Sequence, residues 1–124
     1  MAAAAKPYDL EERTFGFAAD VRRFAGKVRR SLANAEDLKQ LVRASGSVGA
    51  NYIEANEAVS KKDFALRIRI ARKEAKESHY WLRLLDIGED EKLERERAGL
   101  VDEAMQLRKI LSAIAATCPR CGAL

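Results

Sequence analysis

The sequence predicts an all-α protein, an antiparallel up-down-up-down bundle of four helices. Good helix formers dominate the composition, and only two prolines and seven glycines interrupt the 124 residues. Apolar residues recur at alternating spacings of three and four, which is the period of one helix face. The breaks between the four apolar stripes are short, and short connections join neighbouring helices antiparallel. A chain of this length is expected to form one domain with its own core.

The first two helices are predicted over residues 9–32 and 35–58, after a flexible N-terminal lead over residues 1–8. Asp9 and Glu12 resemble a capping box at the first start, and Asn34 is the expected N-cap of the second helix. The first stripe consists of Leu10, Thr14, Phe17, Val21, Phe24 and Val28. The second consists of Leu38, Leu41, Ser45, Val48, Tyr52, Ala55 and Val59.

The third and fourth helices are predicted over residues 61–87 and 90–117, with residues 118–124 as a C-terminal tail. Ser60 and Asp90 are the expected N-caps, and Gly88 is the expected C-cap of the third helix. The third stripe is Phe64, Ile68, Ala71, Ala75, Ser78, Leu82 and Leu85, and the fourth is Leu93, Arg97, Leu100, Ala104, Leu107, Leu111 and Ile114. Each helix also carries a second apolar line, so we expect some of this surface to be buried between subunits.

A cluster of small residues lies inside the second helix and contains Ser45, Gly46, Ser47, Gly49 and Ala50. Each glycine in a helix interior costs about 1 kcal/mol relative to alanine. We expect close approach of a neighbouring helix to offset that cost. The alternative is a backbone surface that a ligand or a phosphate approaches.

Polar residues within the helices are expected to form a structural network that fixes register, made of Arg43, Asn51, Glu54, Glu74 and Glu77. The sharper alternative is a metal site, because Glu54-x-x-Glu57 and Glu74-x-x-Glu77 are similar to the carboxylate pairs of di-iron bundles. Those sites use Glu-x-x-His, which this sequence lacks, so we predict no metal and no cofactor. Cys118 and Cys121 are interpreted as part of a frayed tail, with shared zinc or a reversible disulfide as alternatives.

Positive charge concentrates in residues 61–86, which hold eight basic and four acidic residues, and in residues 1–34, which hold seven and four. Arginine suits phosphate contact through its planar fork. The candidate nucleic-acid-binding residues are Lys62, Arg69, Lys76 and Arg83, spaced by seven, with Arg72 and Lys73 beside them, and Arg22, Arg23, Arg29 and Arg30 in the first segment. A plain solvated face is the alternative. No aromatic residue is expected among these cations, so sequence-specific base readout is not predicted.

Several motifs together resemble one bacterial family over roughly Tyr8 to Ala116. They are Asp9-Leu10-Glu-x-Arg13, Phe17-Ala18-x-x-Val21, Arg43-Ala-Ser45-x-Ser47-Val48-x-x-Asn51-Tyr-x-Glu54-Ala55, Ser60-Lys-Lys-Asp63-Phe64 and Ala71-x-x-Glu74-x-x-Glu77-x-x-x-Trp81-Leu82. The chain resembles the four helix bundle proteins, also called 23S rRNA-intervening-sequence proteins, which are related to accessory proteins of diversity-generating retroelements. The resemblance implies a left-handed bundle and a ring-like homopentamer, and it does not imply a catalytic activity. It also implies a possible partner in RNA, DNA or a nucleic-acid enzyme such as a reverse transcriptase.

The functional expectation is therefore a non-enzymatic, homo-oligomeric bundle in the cytoplasm that presents a basic surface to nucleic acid or a nucleoprotein. No apolar run approaches the roughly 20 residues that span a bilayer, so no membrane role is expected. His79 has no evident nucleophile partner, and no glycine-rich phosphate loop is present. The alternatives are an interaction scaffold without nucleic-acid binding and a carboxylate-bridged metal enzyme.

Overall fold

The computed structural model describes residues 9–117 and contains four helices. They are α1 (Leu10–Ala25), α2 (Leu32–Asn56), α3 (Lys61–Leu84) and α4 (Glu91–Ala116). Both α1 and α3 pack against α2 and α4, so α1 and α3 occupy diagonal corners of the bundle. This arrangement confirms the predicted all-α four-helix bundle. The expectations for residues 1–8 and 118–124, including Cys118 and Cys121, lie outside the described residues.

The predicted apolar stripes form the core where the helices meet. Its largest fully buried side chains include Leu10, Val21, Phe24, Leu41, Val48, Ile68, Leu82, Leu107 and Leu111. Burying one such side chain contributes about 1.5–3 kcal/mol. The second stripe fails at its end, because α2 stops at Asn56 and leaves Val59 94% exposed. Within residues 9–117, no helix combines the length and the apolar character that crossing a membrane demands.

Two of the predicted N-caps are confirmed and one capping box is wrong. The Ser60 hydroxyl accepts a hydrogen bond from the Asp63 amide at 3.0 Å, and the Asp90 carboxylate accepts one from the Leu93 amide at 3.0 Å. Asp9 does precede α1, but its side chain makes no capping hydrogen bond. Its backbone (φ −86°, ψ 28°) is not the extended conformation that aims an N-cap side chain at the helix amides.

Asn34 is not the N-cap of α2, because the helix already begins at Leu32. The N-cap is Ser31, whose hydroxyl accepts a hydrogen bond from the backbone amide of Asn34 at 3.0 Å. α1 correspondingly ends at Ala25 rather than near residue 32. The Asn34 side chain is buried and joins two linkers. Its amide donates to the carbonyls of Arg29 (2.9 Å) and Asp86 (2.8 Å), and its oxygen accepts the Asp86 amide (3.0 Å). This residue therefore fastens the 26–31 and 85–90 connections together at one end of the bundle.

The end of α3 also differs from the prediction. The helix stops at Leu84, and Gly88 lies within the following linker with a φ of +70° rather than at the C-cap. The exposed carbonyls are met instead by Arg97 of α4, whose guanidinium donates to Leu82 O at 3.3 Å and Leu85 O at 2.6 Å. A cation at a helix C-terminus is favoured by the helix dipole. Arg97 thus lies in the α4 stripe because its side chain reaches the end of α3, and it is not a core residue.

The glycines of α2 allow α1 and α2 to approach closely, as predicted. A Cβ at Gly49 would lie 2.7 Å from the Thr14 hydroxyl oxygen and 3.1 Å from the Thr14 Cβ. Thr14 is itself buried and donates its hydroxyl to the Leu10 carbonyl at 2.8 Å. No side chain larger than hydrogen fits at Gly49 without separating the two helices.

Candidate functional site

Four cations recur every seven residues along α3, and we call Lys62, Arg69, Lys76 and Arg83 the α3 cation line. Lys62, Lys76 and Arg83 are exposed, and Arg69 is half-buried. Residues seven apart are close to one another on a helix face. No carboxylate in the described part of the chain lies within 4.0 Å of their nitrogen atoms. The line therefore carries charge that neighbouring side chains leave uncompensated.

The two cations that flank this line differ from each other. Arg72 is half-buried and likewise has no carboxylate within 4.0 Å among residues 9–117. Lys73 is exposed, and its Nζ lies 3.9 Å from an oxygen of Glu77, one turn further along α3. Exposed pairs of this kind contribute about 0.3–0.5 kcal/mol and leave Lys73 free to exchange partners.

Of the four candidates in the first segment, Arg22 and Arg23 lie on α1, which is diagonal to α3, whereas Arg29 and Arg30 lie in the 26–31 linker at one end of the bundle. Arg22 donates to the carbonyls of Ala18 (3.0 Å) and Val42 (3.4 Å), so its guanidinium bridges α1 and α2. Arg23 pairs with Asp20, and the Arg29 guanidinium lies 4.0 Å from the Asp86 carboxylate. Arg30 is exposed, and no carboxylate of the described residues pairs with it. The ten candidates therefore do not form one continuous face.

An aromatic residue does lie among the α3 cations, which corrects the sequence prediction. Tyr80 follows Lys76 by four residues and precedes Arg83 by three, so the three share one helix face. Its side chain is 53% exposed. The ring contacts Trp81 edge to face, with centroids 5.0 Å apart and an interplanar angle of 80°. The spacing by seven that defines the line passes over Tyr80, which lies between two of its members.

The pKa of His79 is affected by the positive charges near the C-terminal end of α3. Burial lowers the pKa of His79 below its ordinary value of 6.5, and the charges of Arg83 and Arg108 lower it further. The imidazole is therefore neutral near pH 7. It lines a shallow cavity of about 440 Å³ between α3 and α4, together with Arg83 and Met105.

Three members of the predicted polar network meet between α2 and α3. The Arg43 guanidinium lies 3.8 Å from a Glu74 oxygen and 3.6 Å from a Glu77 oxygen. Glu74 is buried, and its other oxygen has no hydrogen-bond partner within residues 9–117. Burial raises the pKa of Glu74 and the charge of Glu77 raises it further, while Arg43 and Lys73 oppose the shift. Arg43 is thus held near Glu74 and Glu77 by the attraction of opposite charges and not by close hydrogen bonds.

The other two predicted members do not join that group. The Asn51 amide donates to the Ser47 carbonyl at 2.9 Å, and its oxygen accepts a bond from Arg67 at 3.3 Å. Glu54 is exposed and contacts neither set. The network is therefore two separate clusters along the α2–α3 seam. Arg67 was not among the predicted members, because its contact with Asn51 depends on how α3 packs against α2.

The carboxylate pairs do not converge into a metal site. No group of three or more His, Cys, Asp or Glu side chains comes together among the residues that the structure describes. The guanidinium of Arg43 occupies the position beside Glu74 and Glu77 that a cation would need. Glu54 and Glu57 are exposed at the other end of α2.

Two grooves flank α1. The groove between α1 and α2 has a volume of about 380 Å³. It is lined by several alanines and glycines and by the larger side chains of Phe15 and Ile53. Phe15 is 70% exposed and Ile53 is 46% exposed. The groove between α1 and α4 encloses about 490 Å³ and is bridged by two ion pairs, Arg13–Glu103 at 2.7 Å and Lys27–Glu96 at 3.1 Å. The groove between α1 and α2 is therefore mainly apolar, whereas charged side chains cross the groove between α1 and α4.

Comparison with known proteins adds a family and a fold relative. A family model described as 23S rRNA-intervening sequence protein matches residues 8–113. A crystal structure of a protein of unknown function from the S23 ribosomal protein family of Bacteroides thetaiotaomicron is similar, with 29% sequence identity and a TM-score of 0.69. The similarity covers 84% of this chain and 95% of that one. No curated protein matches the chain.

Proposed function

This chain belongs to the 23S rRNA-intervening sequence protein family, and on that premise we propose that it is a non-enzymatic, self-associating bundle that binds nucleic acid, or a nucleoprotein, through the outer face of α3. The observation that carries the proposal is the α3 cation line with its neighbour Arg72. These five cations have no carboxylate within 4.0 Å in the described part of the chain. Phosphates supply the missing negative charge, and the planar guanidinium of arginine can donate to two oxygens of one phosphate.

The contrast with α4 supports an assignment to α3. The exposed cations of α4 alternate with acids along the helix, as in the stretch Glu91-Lys92-Leu-Glu94-Arg95-Glu96. On α3 the two central acids, Glu74 and Glu77, are engaged with Arg43 on the α2 side. The field of α4 is therefore mixed, whereas the line on α3 has one sign.

Self-association would repeat the α3 cation line in every subunit, so that weak phosphate contacts add up. The apolar groove between α1 and α2 is the surface that we propose for subunit contact. A phenylalanine that is 70% exposed beside a groove is typical of a partner-facing surface. The pentameric ring implied by the family resemblance is the expected assembly.

The test of nucleic-acid binding is a salt series on the purified full chain with an RNA hairpin and a DNA duplex. We expect log Kobs to fall linearly with log salt concentration, with a slope of about 0.9 per phosphate contact on duplex DNA. The double variant Arg69→Glu/Arg83→Glu should abolish binding at moderate salt and lower that slope.

A matched control is available on α4. Arg95 and Lys109 are exposed, lie fourteen residues apart like Arg69 and Arg83, and have no carboxylate within 4.0 Å among residues 9–117. The variant Arg95→Glu/Lys109→Glu changes the net charge by the same amount and should retain most binding. Equal loss in both variants would mean a diffuse effect of net charge, and unchanged binding in the α3 variant would refute the proposal.

Subunit contact is tested separately by measuring the mass in solution with light scattering. Phe15→Asp should dissociate the assembly. Val59→Asp, at a position that is 94% exposed in the 57–60 linker, should leave the mass unchanged. A wild-type chain that is monomeric at micromolar concentration would contradict this part of the proposal.

A second candidate function is an interaction scaffold that binds a protein, and no nucleic acid, in the apolar α1–α2 groove. A wild-type chain that is monomeric and binds neither probe at low salt would favour this scaffold over the nucleic-acid role. The family name supports the nucleic-acid candidate only as an association, since it describes where related proteins are encoded.

A further inference from the structure

The exposed ring of Tyr80 is a feature of the α3 face that charge alone does not explain. It lies between Lys76 and Arg83, which are about 10 Å apart along the helix axis. A ring that is half in water on a strongly charged face leaves apolar surface uncovered. A partner that carries both negative charge and a flat apolar face could contact the Tyr80 ring and pair with Lys76 and Arg83 at the same time.

The orientation of this ring is set by its neighbour. The Trp81 indole is partly buried against the hydrophobic core and meets the Tyr80 ring edge to face at 5.0 Å. Such aromatic pairs contribute beyond their buried area and restrict the ring. The Tyr80 hydroxyl has no hydrogen-bond partner among the described residues, so the ring is positioned by packing. One face of the side chain is therefore presented in a preformed orientation.

We infer that the α3 face takes unpaired nucleotides, with one base stacking on Tyr80 and the adjacent phosphates contacting Lys76 and Arg83. This inference rests on the function proposed above and narrows its ligand class. Within a duplex, each base face other than those at the two ends is covered by the next base pair, so a surface aromatic cannot reach the internal bases. In a single strand or a loop, bases can turn out and stack on aromatic side chains.

A second copy of the same face is a poorer occupant. Two copies of the α3 cation line brought together in a twofold contact would place positive charges against one another with no acid between them. Like charges across an interface disfavour the contact. The half-exposed Leu84, which follows Tyr80 by four residues, extends the apolar strip on which a base or ribose can rest.

The experiment compares Tyr80→Ala with Tyr80→Phe in the full chain. The probes are a fluorescently labelled oligouridine and a blunt RNA duplex of the same length, and the affinities are measured by anisotropy. Loss of one base–aromatic stack should weaken binding of the single strand by roughly 5- to 150-fold. Binding of the duplex should not change, and Tyr80→Phe should behave as wild type because it keeps the ring.

A built-in reporter gives a second readout. Trp81 is the sole tryptophan of the chain, and its ring touches that of Tyr80. Oligouridine should change the emission of Trp81 in the wild type and in Tyr80→Phe, but not in Tyr80→Ala. The duplex should bind without changing this emission.

The outcomes separate this inference from the proposal on which it rests. Wild-type chain that binds neither probe at low salt overturns both. Salt-dependent binding that Tyr80→Ala leaves intact, or weakens equally for single strand and duplex, overturns only the assignment to unpaired nucleotides. A Tyr80→Ala chain with a changed mass in light scattering would show that the ring serves subunit contact and would also overturn the inference.

Discussion

Gly49→Ala is expected to destabilise the bundle although alanine is the better helix former. The added Cβ would lie 2.7 Å from the hydroxyl oxygen of Thr14, and observed Cβ contacts essentially never fall below 3.0 Å. Thr14 cannot turn away, because it is buried, β-branched and hydrogen-bonded to the Leu10 carbonyl. The clash must therefore be relieved by moving α1 away from α2.

The size of the effect follows from two opposing contributions. Overpacking in a well-packed interior costs about 1–3 kcal/mol. Replacing a helical glycine by alanine returns about 1 kcal/mol. The net expectation for Gly49→Ala is a loss of about 0–2 kcal/mol in the free energy of unfolding.

Gly16 and Gly99 are matched controls, since a Cβ at either position has no atom within 4 Å. Gly16→Ala and Gly99→Ala should each gain about 0.5–1 kcal/mol. All three variants are compared by urea denaturation at one protomer concentration, because self-association makes stability depend on concentration. If Gly49→Ala proved as stabilising as Gly16→Ala, close packing would not be the reason for the glycine.

Three further predictions concern buried polar groups. Asn34→Ala should cost about 2–4 kcal/mol in urea denaturation, since it leaves backbone groups of two linkers unpaired; a loss below about 1 kcal/mol would contradict the role of Asn34 as a fastener. A double-mutant cycle on Arg13 and Glu103 should give a coupling of about 1 kcal/mol, because the pair is bidentate and half-buried; no coupling would mean that the pair is only a surface contact. The raised pKa of Glu74 means that the folded state keeps its proton where the unfolded chain has lost it, so stability falls as pH rises above the ordinary 4.5 toward the folded value. Glu74→Gln should therefore gain stability over wild type as pH rises through that window, and a pH-independent difference would refute the assignment.

The helices and their faces could be predicted because they depend on local patterns. An apolar stripe such as Leu93, Leu100 and Leu107 is buried when that face of the helix points into the core. Ser60 and Asp90 begin helices through hydrogen bonds to amides three residues further along the chain. The close approach at Gly49 was predictable for a related reason, since a glycine in a helix interior needs a packing explanation.

Parts of the candidate site were not predictable in this way. Whether a cation is paired depends on what the fold brings next to it, so the sequence could not separate Arg29, which lies 4.0 Å from Asp86 of a distant linker, from Lys76, which has no carboxylate within 4.0 Å among residues 9–117. Arg13 pairs with an acid ninety residues away. The exposure of Tyr80 was missed for the same reason, since it depends on where α2 and α4 cover α3.

The sequence by itself determined that the chain forms four helices, which faces those helices bury and which family the motifs resemble, because each of these depends on residues within a turn or two of one another. Only the tertiary structure decided that Asn34 joins two linkers and that Arg97 contacts the end of α3. It also decided that the candidate cations of α1 and those of α3 lie at opposite corners, and that Tyr80 is exposed among the cations of α3. These features depend on which groups from distant parts of the chain come within hydrogen-bond and Coulomb range, and that is set by the packing of whole helices and not by the spacing within any one of them.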